Sequence, residues 1–212
     1  MQSYYGRYAD FRTVSKADAG VLLGADTAVG DVCDIDIALE DGIYKAWLIN
    51  RFGQRIGFFD VDFSRRLSLL SADGLAQKAI LSFIAFTDHP DEGHYWGQAA
   101  VICFNPAYES DFDTFIGNVA ERIGQDLRPR IDFDAEAVDK IIESNGEWMP
   151  KQNISLPDMQ KGMAIIKRRR SVTDKLIAQG RSGNKGCYVA SWIVLLAVVA
   201  LLVFAFKSCV GW

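Results

Sequence analysis

From Asp34 to Leu39 the chain reads Asp-Ile-Asp-Ile-Ala-Leu, alternating with the period of a strand that buries one face. Asp41-Gly42 predicts a turn, and residues 44–49 a second apolar strand. Arg51-Phe52-Gly53-Gln54 predicts another turn, which leads into a third strand at residues 55–59. Asp60 or Asp62 is placed to cap a helix that carries Phe63, Leu67 and Leu70 at helical spacing. Two long apolar runs, 79–86 and 99–104, read as core strands joined by a polar loop over 87–94. Helical periodicity returns at 111–126, with Phe112, Phe115, Ile116, Val119 and Ile123 inward, and at 134–144, with Val138, Ile141 and Ile142 inward. Strands first and helices after them predict an α+β fold, mainly antiparallel sheet with packed helices.

The C-terminal pattern is different. Residues 188–206 read YVASWIVLLAVVALLVFAF, 19 positions without a charge. A helix needs about 20 apolar residues to cross a hydrocarbon core of about 30 Å, so this segment predicts one transmembrane helix. Tyr188, Trp192 and Trp212 fall where interfacial aromatics belong. Lys167, Arg168, Arg169, Arg170, Lys175, Arg181 and Lys185 precede the segment and only Lys207 follows it, which puts the N-terminus on the cytoplasmic side of a single-pass protein. The opening MQSYYGRYADF has no secretory n-region or apolar h-region, and the short tail at 207–212 suits a tail anchor. Between Pro150 and the span, Asp158 is placed to cap a basic amphipathic helix with Met159, Met163, Ile166, Leu176 and Ile177 on one face. Its cations, from Lys161 to Lys185, are expected to meet anionic lipid headgroups, and Gly180–Gly186 to form a hinge. The expected organisation is thus a soluble acidic domain at 1–149, a juxtamembrane helix and linker at 150–187, the span at 188–206 and the tail.

Charge sharpens this division. Residues 1–150 hold 13 Lys+Arg against 25 Asp+Glu, a net of −12, whereas residues 151–212 hold 10 against 2, a net of +8. Half of the 212 residues are hydrophobic, enough for a packed core. A domain this acidic is poorly suited to a polyanion, so nucleic acid is an unlikely partner. Cys33, Cys103, Cys187 and Cys209 show no metal-knuckle or redox spacing, and the first two sit in apolar runs as buried, reduced thiols.

Lys45-Ala46-Trp47-Leu48-Ile49-Asn50-Arg51-Phe52-Gly53-Gln54-Arg55-Ile56-Gly57-Phe58-Phe59, followed by a helix with Leu67, resembles the central hairpin and helix of the HIRAN module. That resemblance, over residues 45–70, implies a small β-rich domain and, in the family, binding of DNA ends. The acidic-proline-asparagine stretch that the family carries before this hairpin is replaced here by Ala38-Leu39-Glu40-Asp41-Gly42-Ile43.

Little in the sequence suggests catalysis. His89 and His94, the only histidines, form with Asp91 the one candidate metal set, although His-x₄-His on a hairpin matches no standard ligand arrangement. No phosphate-binding glycine loop or nucleophile elbow is present, and no cofactor is expected. The paired aromatics Tyr4-Tyr5, Phe58-Phe59 and Tyr95-Trp96 each place one ring on either side of a strand. Phe58, Tyr95 and Trp96 are therefore candidates for a binding surface, unless a second layer covers them. The expected function is a tail-anchored membrane protein presenting a cytosolic adaptor domain to a protein partner. The alternatives are a membrane-tethered HIRAN-like nucleic-acid binder and a metal-dependent membrane enzyme using the His89/His94 loop.

Overall fold

Seven strands and four α-helices make up most of the regular structure in the computed structural model, which describes residues 3–16, 18–88, 93–158 and 162–171. In chain order they are β1 (Tyr4–Arg12), α1 (Ala19–Leu23), β2 (Val32–Glu40), β3 (Ile43–Ile49), β4 (Arg55–Phe59), α2 (Val61–Ala72), β5 (Ala76–Thr87), β6 (His94–Phe104), α3 (Glu109–Gly124), α4 (Ala135–Glu143) and β7 (Met163–Lys167). The predicted hairpin β3–β4 and the helices with inward Phe63, Leu67 and Leu70 and inward Phe112, Phe115, Ile116, Val119 and Ile123 are present, with these side chains buried.

The sheet does not lie flat against helices as an α+β arrangement requires. Its strands run β2-β3-β4-β1-β6-β5, all antiparallel, and Val32, Cys33 and Asp34 of β2 pair with Ile80, Ala79 and Lys78 of β5 to close a six-stranded barrel. The α+β expectation is thereby corrected. Closure follows from the length of β5 and its register shift between Leu81 and Phe83, which bends the strand so that its first half meets β2. Small residues line the bore (Ala46, Ala79 and Ala99), and Phe11, Leu48, Phe59 and Leu81 fill it.

A second core lies outside the barrel wall. Tyr4, Ile80, Ala100, Ile102 and Phe104 turn outward and pack under Phe112, Phe115, Ile116 and Val119 of α3. β5 and β6 are covered on both faces, which is why their sequences read as unbroken apolar runs. α2 closes part of the barrel, and its buried Ser64 ties two strands together: the hydroxyl accepts from the Ala46 N–H at 3.0 Å and donates to the Phe59 carbonyl at 3.2 Å.

The second half of β5 pairs with β7, Thr87 opposite Met163 and Ile84 opposite Lys167. The helix expected to run from Asp158 is corrected at these residues. Met-Ala-Ile-Ile-Lys has side chains that alternate in burial, and its β-branched isoleucines suit the exposed edge of β5 better than a helix face. Among the described residues no helix is long and apolar enough to cross a membrane. The expected span at 188–206 lies outside the described residues, as do Lys175, Arg181, Lys185, His89 and Asp91.

Candidate binding cleft

The phase of β1 is fixed at both ends. The Asn105 N–H donates to the Ser3 carbonyl and the Thr13 N–H to the Tyr95 carbonyl, both at 3.2 Å. Odd-numbered residues of β1 therefore exchange their main-chain hydrogen bonds with β6, and even-numbered residues turn theirs to the opposite edge. On that edge β4 pairs only Phe11 and Arg12 before the chain turns into α2. Among the described residues, no strand faces Tyr4, Gly6, Tyr8 and Asp10 there.

A cleft of about 720 Å³ opens along this seam, lined by Tyr5, Arg7, Tyr8, Ala9, Asp10, Asp60, Asp62, Phe63, Arg66 and Gln98. Its floor is aromatic: Tyr5 and Phe63 lie 6.4 Å apart, with the Arg66 guanidinium 5.4 Å over the Tyr5 ring. Asp60 caps α2 by accepting from the Phe63 N–H at 2.8 Å, and Asp62 sits in the first turn of that helix, where the macrodipole favours a carboxylate. A groove of about 450 Å³ follows the other side of β1 beside Tyr8, Ile131, Asp132 and Ile154.

Behind the cleft lies Arg128, only 4 % exposed. Its Nε donates to Ser82 Oγ at 3.0 Å and one terminal nitrogen to the Ser155 carbonyl at 2.6 Å, while the other reaches Gln98 Oε1. The guanidinium also sits 4.6 Å over the Tyr8 ring. Burial lowers its pKa and raises that of Tyr8. Gln98 passes the connection on, donating to Asp10 at 2.8 Å, so the cleft wall is held from beneath. The Tyr8 hydroxyl donates to the Pro129 carbonyl at 2.9 Å and the Tyr4 hydroxyl to the Ile131 carbonyl at 2.7 Å, pinning the outer face of β1.

Of the residues singled out in the sequence, Phe58 and Trp96 come together in one row across the strands, both registered against Arg12 and continued by Trp47. Tyr95 is turned to the other face, where it packs on Phe86 at 4.8 Å. Trp96 is partly used internally, edge-on to Phe83 at 5.4 Å and donating to Thr87 Oγ1 at 2.8 Å. The row is cationic as well as aromatic: Lys45 lies 4.1 Å over Phe58 and Arg55 4.5 Å over Trp47. These cations are matched, Lys45 by Glu40 at 3.4 Å and Arg55 by Asp36 at 3.3 Å. The Trp47 indole N–H, donating at 2.9 Å, is the leading cause of the lowered Glu40 pKa, with Lys45 and Arg55 adding to it.

The basic run is placed against the barrel. Lys167 Nζ donates to the carbonyls of Leu22, Gly24 and Thr27 at 3.4, 2.8 and 2.7 Å. Arg168 pairs with Asp126 at 2.7 Å, and Arg170 pairs with Asp31. These three were expected at lipid headgroups; Arg169 is exposed. Of the metal candidates only His94 is described, exposed at the start of β6, and among the described residues no three potential ligands cluster.

The chain matches no protein-family model and no curated protein. Among the cleft residues Tyr5 is visible as one of a tyrosine pair and Phe63 as a helix core residue, while Arg7 and Arg66 escape a reading of the sequence; β1 itself is obscured because it is covered on parts of both faces. The segment YYGRYADFR accordingly shows no clean alternation. Its signal is the density of tyrosine and arginine within nine residues.

Proposed function

We propose that the barrel recognises a protein partner through the cleft between β1 and α2, and that the segment at 188–206 holds it at the cytoplasmic face of a membrane. The observation that carries this reading is the lining of the cleft. Tyr5, Tyr8, Phe63, Arg7 and Arg66 are the residue types most enriched at protein interfaces, gathered in one concavity with carboxylates at its rim. The anchor rests on 19 uncharged residues, apolar but for Ser191 and the interfacial Tyr188, and on the cationic excess before them. The HIRAN-like reading as a nucleic-acid binder draws on the Trp47–Phe58 row, but the cations there are neutralised by Glu40 and Asp36 within an acidic region.

Two measurements test the reading. Carbonate washing of membranes should leave the protein in the pellet; release into the wash would overturn the anchor. Crosslinking of the full-length protein in solubilised membranes should capture a partner whose yield falls at least tenfold with Asp62→Lys, which reverses charge at the exposed rim. Equal capture by the variant would overturn the assignment to the cleft.

A further inference from the structure

We propose that the open edge of β1 takes up an extended, basic segment of the partner as an added strand, seated between β1 and α2. This rests on the cleft being the partner site, and it adds how the partner is held and what its chemistry is. Main-chain groups of Tyr8 and Asp10 point to an edge that no strand occupies among the described residues, because β4 ends its pairing at Phe11 and turns away. Tyr8 is half-buried and Asp10 exposed, so their N–H and C=O groups offer the ladder on which a further strand can form.

The two sides of that edge differ in a way that specifies the occupant. Successive side chains of an added strand project to opposite faces. One set would enter the cleft, which presents Asp10, Asp60 and Asp62. The other would enter the groove beside Tyr8, Ile131 and Ile154, which is largely apolar. Three carboxylates face two arginines in the cleft, and one of those arginines is drawn over Tyr5; residues 1–150 around them carry a net of −12. The complementary segment therefore alternates basic and apolar residues.

The probe is an acetylated, amidated octapeptide of alternating valine and lysine, added to the full-length protein in zwitterionic micelles. Amide exchange followed by NMR should slow at least tenfold at Tyr8 and Asp10. Tyr5, Arg7 and Ala9, whose amides already bond to β6, should not change. Two further peptides carry N-methyl groups on all valines or on all lysines, which keeps every side chain but blocks one edge of the strand. One of them should lose at least tenfold in affinity and the other should bind like the parent. Absence of binding, unchanged exchange at these two even-numbered amides, or equal binding by both methylated peptides would each overturn strand addition. Crosslinked capture that still depends on Asp62 would then leave the cleft standing as the partner site, reached by another mode.

Discussion

Replacing Lys167 with methionine removes one ammonium group and little else, since the apolar stem is retained. In the structure that ammonium closes a cage of three carbonyls, two at ordinary hydrogen-bond length (2.7 and 2.8 Å) and one long (3.4 Å). Hydrogen bonds from charged groups contribute about 1.5–3 kcal/mol each. Discounting for partial exposure and for the long contact leaves about 3 kcal/mol. The loss is local, because Lys167 ends β7, an edge strand, while the barrel closes through β2 and β5 without it. Every 1.4 kcal/mol is a factor of ten in a population, so opening of β7 should become about 100-fold more frequent. Hydrogen exchange measured by mass spectrometry should show those amides of residues 163–167 that bond to β5 exchanging about 100-fold faster, with β1 and β6 unchanged. Acceleration below about fivefold would refute the cage as the clasp of β7, and equal acceleration throughout the barrel would refute its local character. If the ammonium instead met lipid headgroups, the variant would lose affinity for anionic vesicles and its exchange would not move.

Three further outcomes are expected. Ser64→Ala strands the Ala46 N–H and the Phe59 carbonyl in a buried position, so denaturant titration should show a loss of about 1–3 kcal/mol. Phe11→Ala leaves a cavity in the bore and should cost about 3–5 kcal/mol by the same titration, with an unchanged m-value if the barrel still folds. Burial holds the Cys33 and Cys103 thiols neutral by pushing both from 9.0 up to about 12. Because these pKa values are raised on folding, their contribution is full below pH 9 and is lost as pH rises toward 12, where only the unfolded chain gains by ionising. Stability should fall across that interval and thiol labelling of both residues at pH 8 should track unfolding; fast labelling of the native protein would contradict it.

The hairpin β3–β4 and helices α2, α3 and α4 are legible in the chain because each has one apolar face and recognisable turn or cap residues. Closure of the barrel is not, since it depends on Val32–Asp34 meeting Lys78–Ile80 across more than forty positions. Nothing local marks that pairing, and unbroken apolar runs fit a flat sheet equally well. The basic run at 167–170 is legible only in part for a related reason: a cation's partner can be distant main chain, as Lys167 shows with the carbonyls around Gly24. The cleft is legible only in part. Asp60 and Asp62 are visible as caps and Phe63 as a core residue, but their meeting with β1 follows from where β4 stops.

Phe11 carries a consequence for how this sequence can change over generations. A methyl group added at Gly57 would fall 2.6 Å from the Phe11 ring, and one added at Gly97 would fall 2.8 Å from the same ring and 2.4 Å from the Phe83 carbonyl. The three positions thus form a ratchet. A smaller residue must replace Phe11, and the Arg12 carbonyl 3.0 Å away must give slightly, before Gly57 can acquire a side chain; once it has, the phenylalanine cannot return. Gly97 gains nothing from that exchange, because rigid main chain still blocks it. Mutational routes through the bore are therefore ordered, with Phe11 first, Gly57 second and Gly97 fixed.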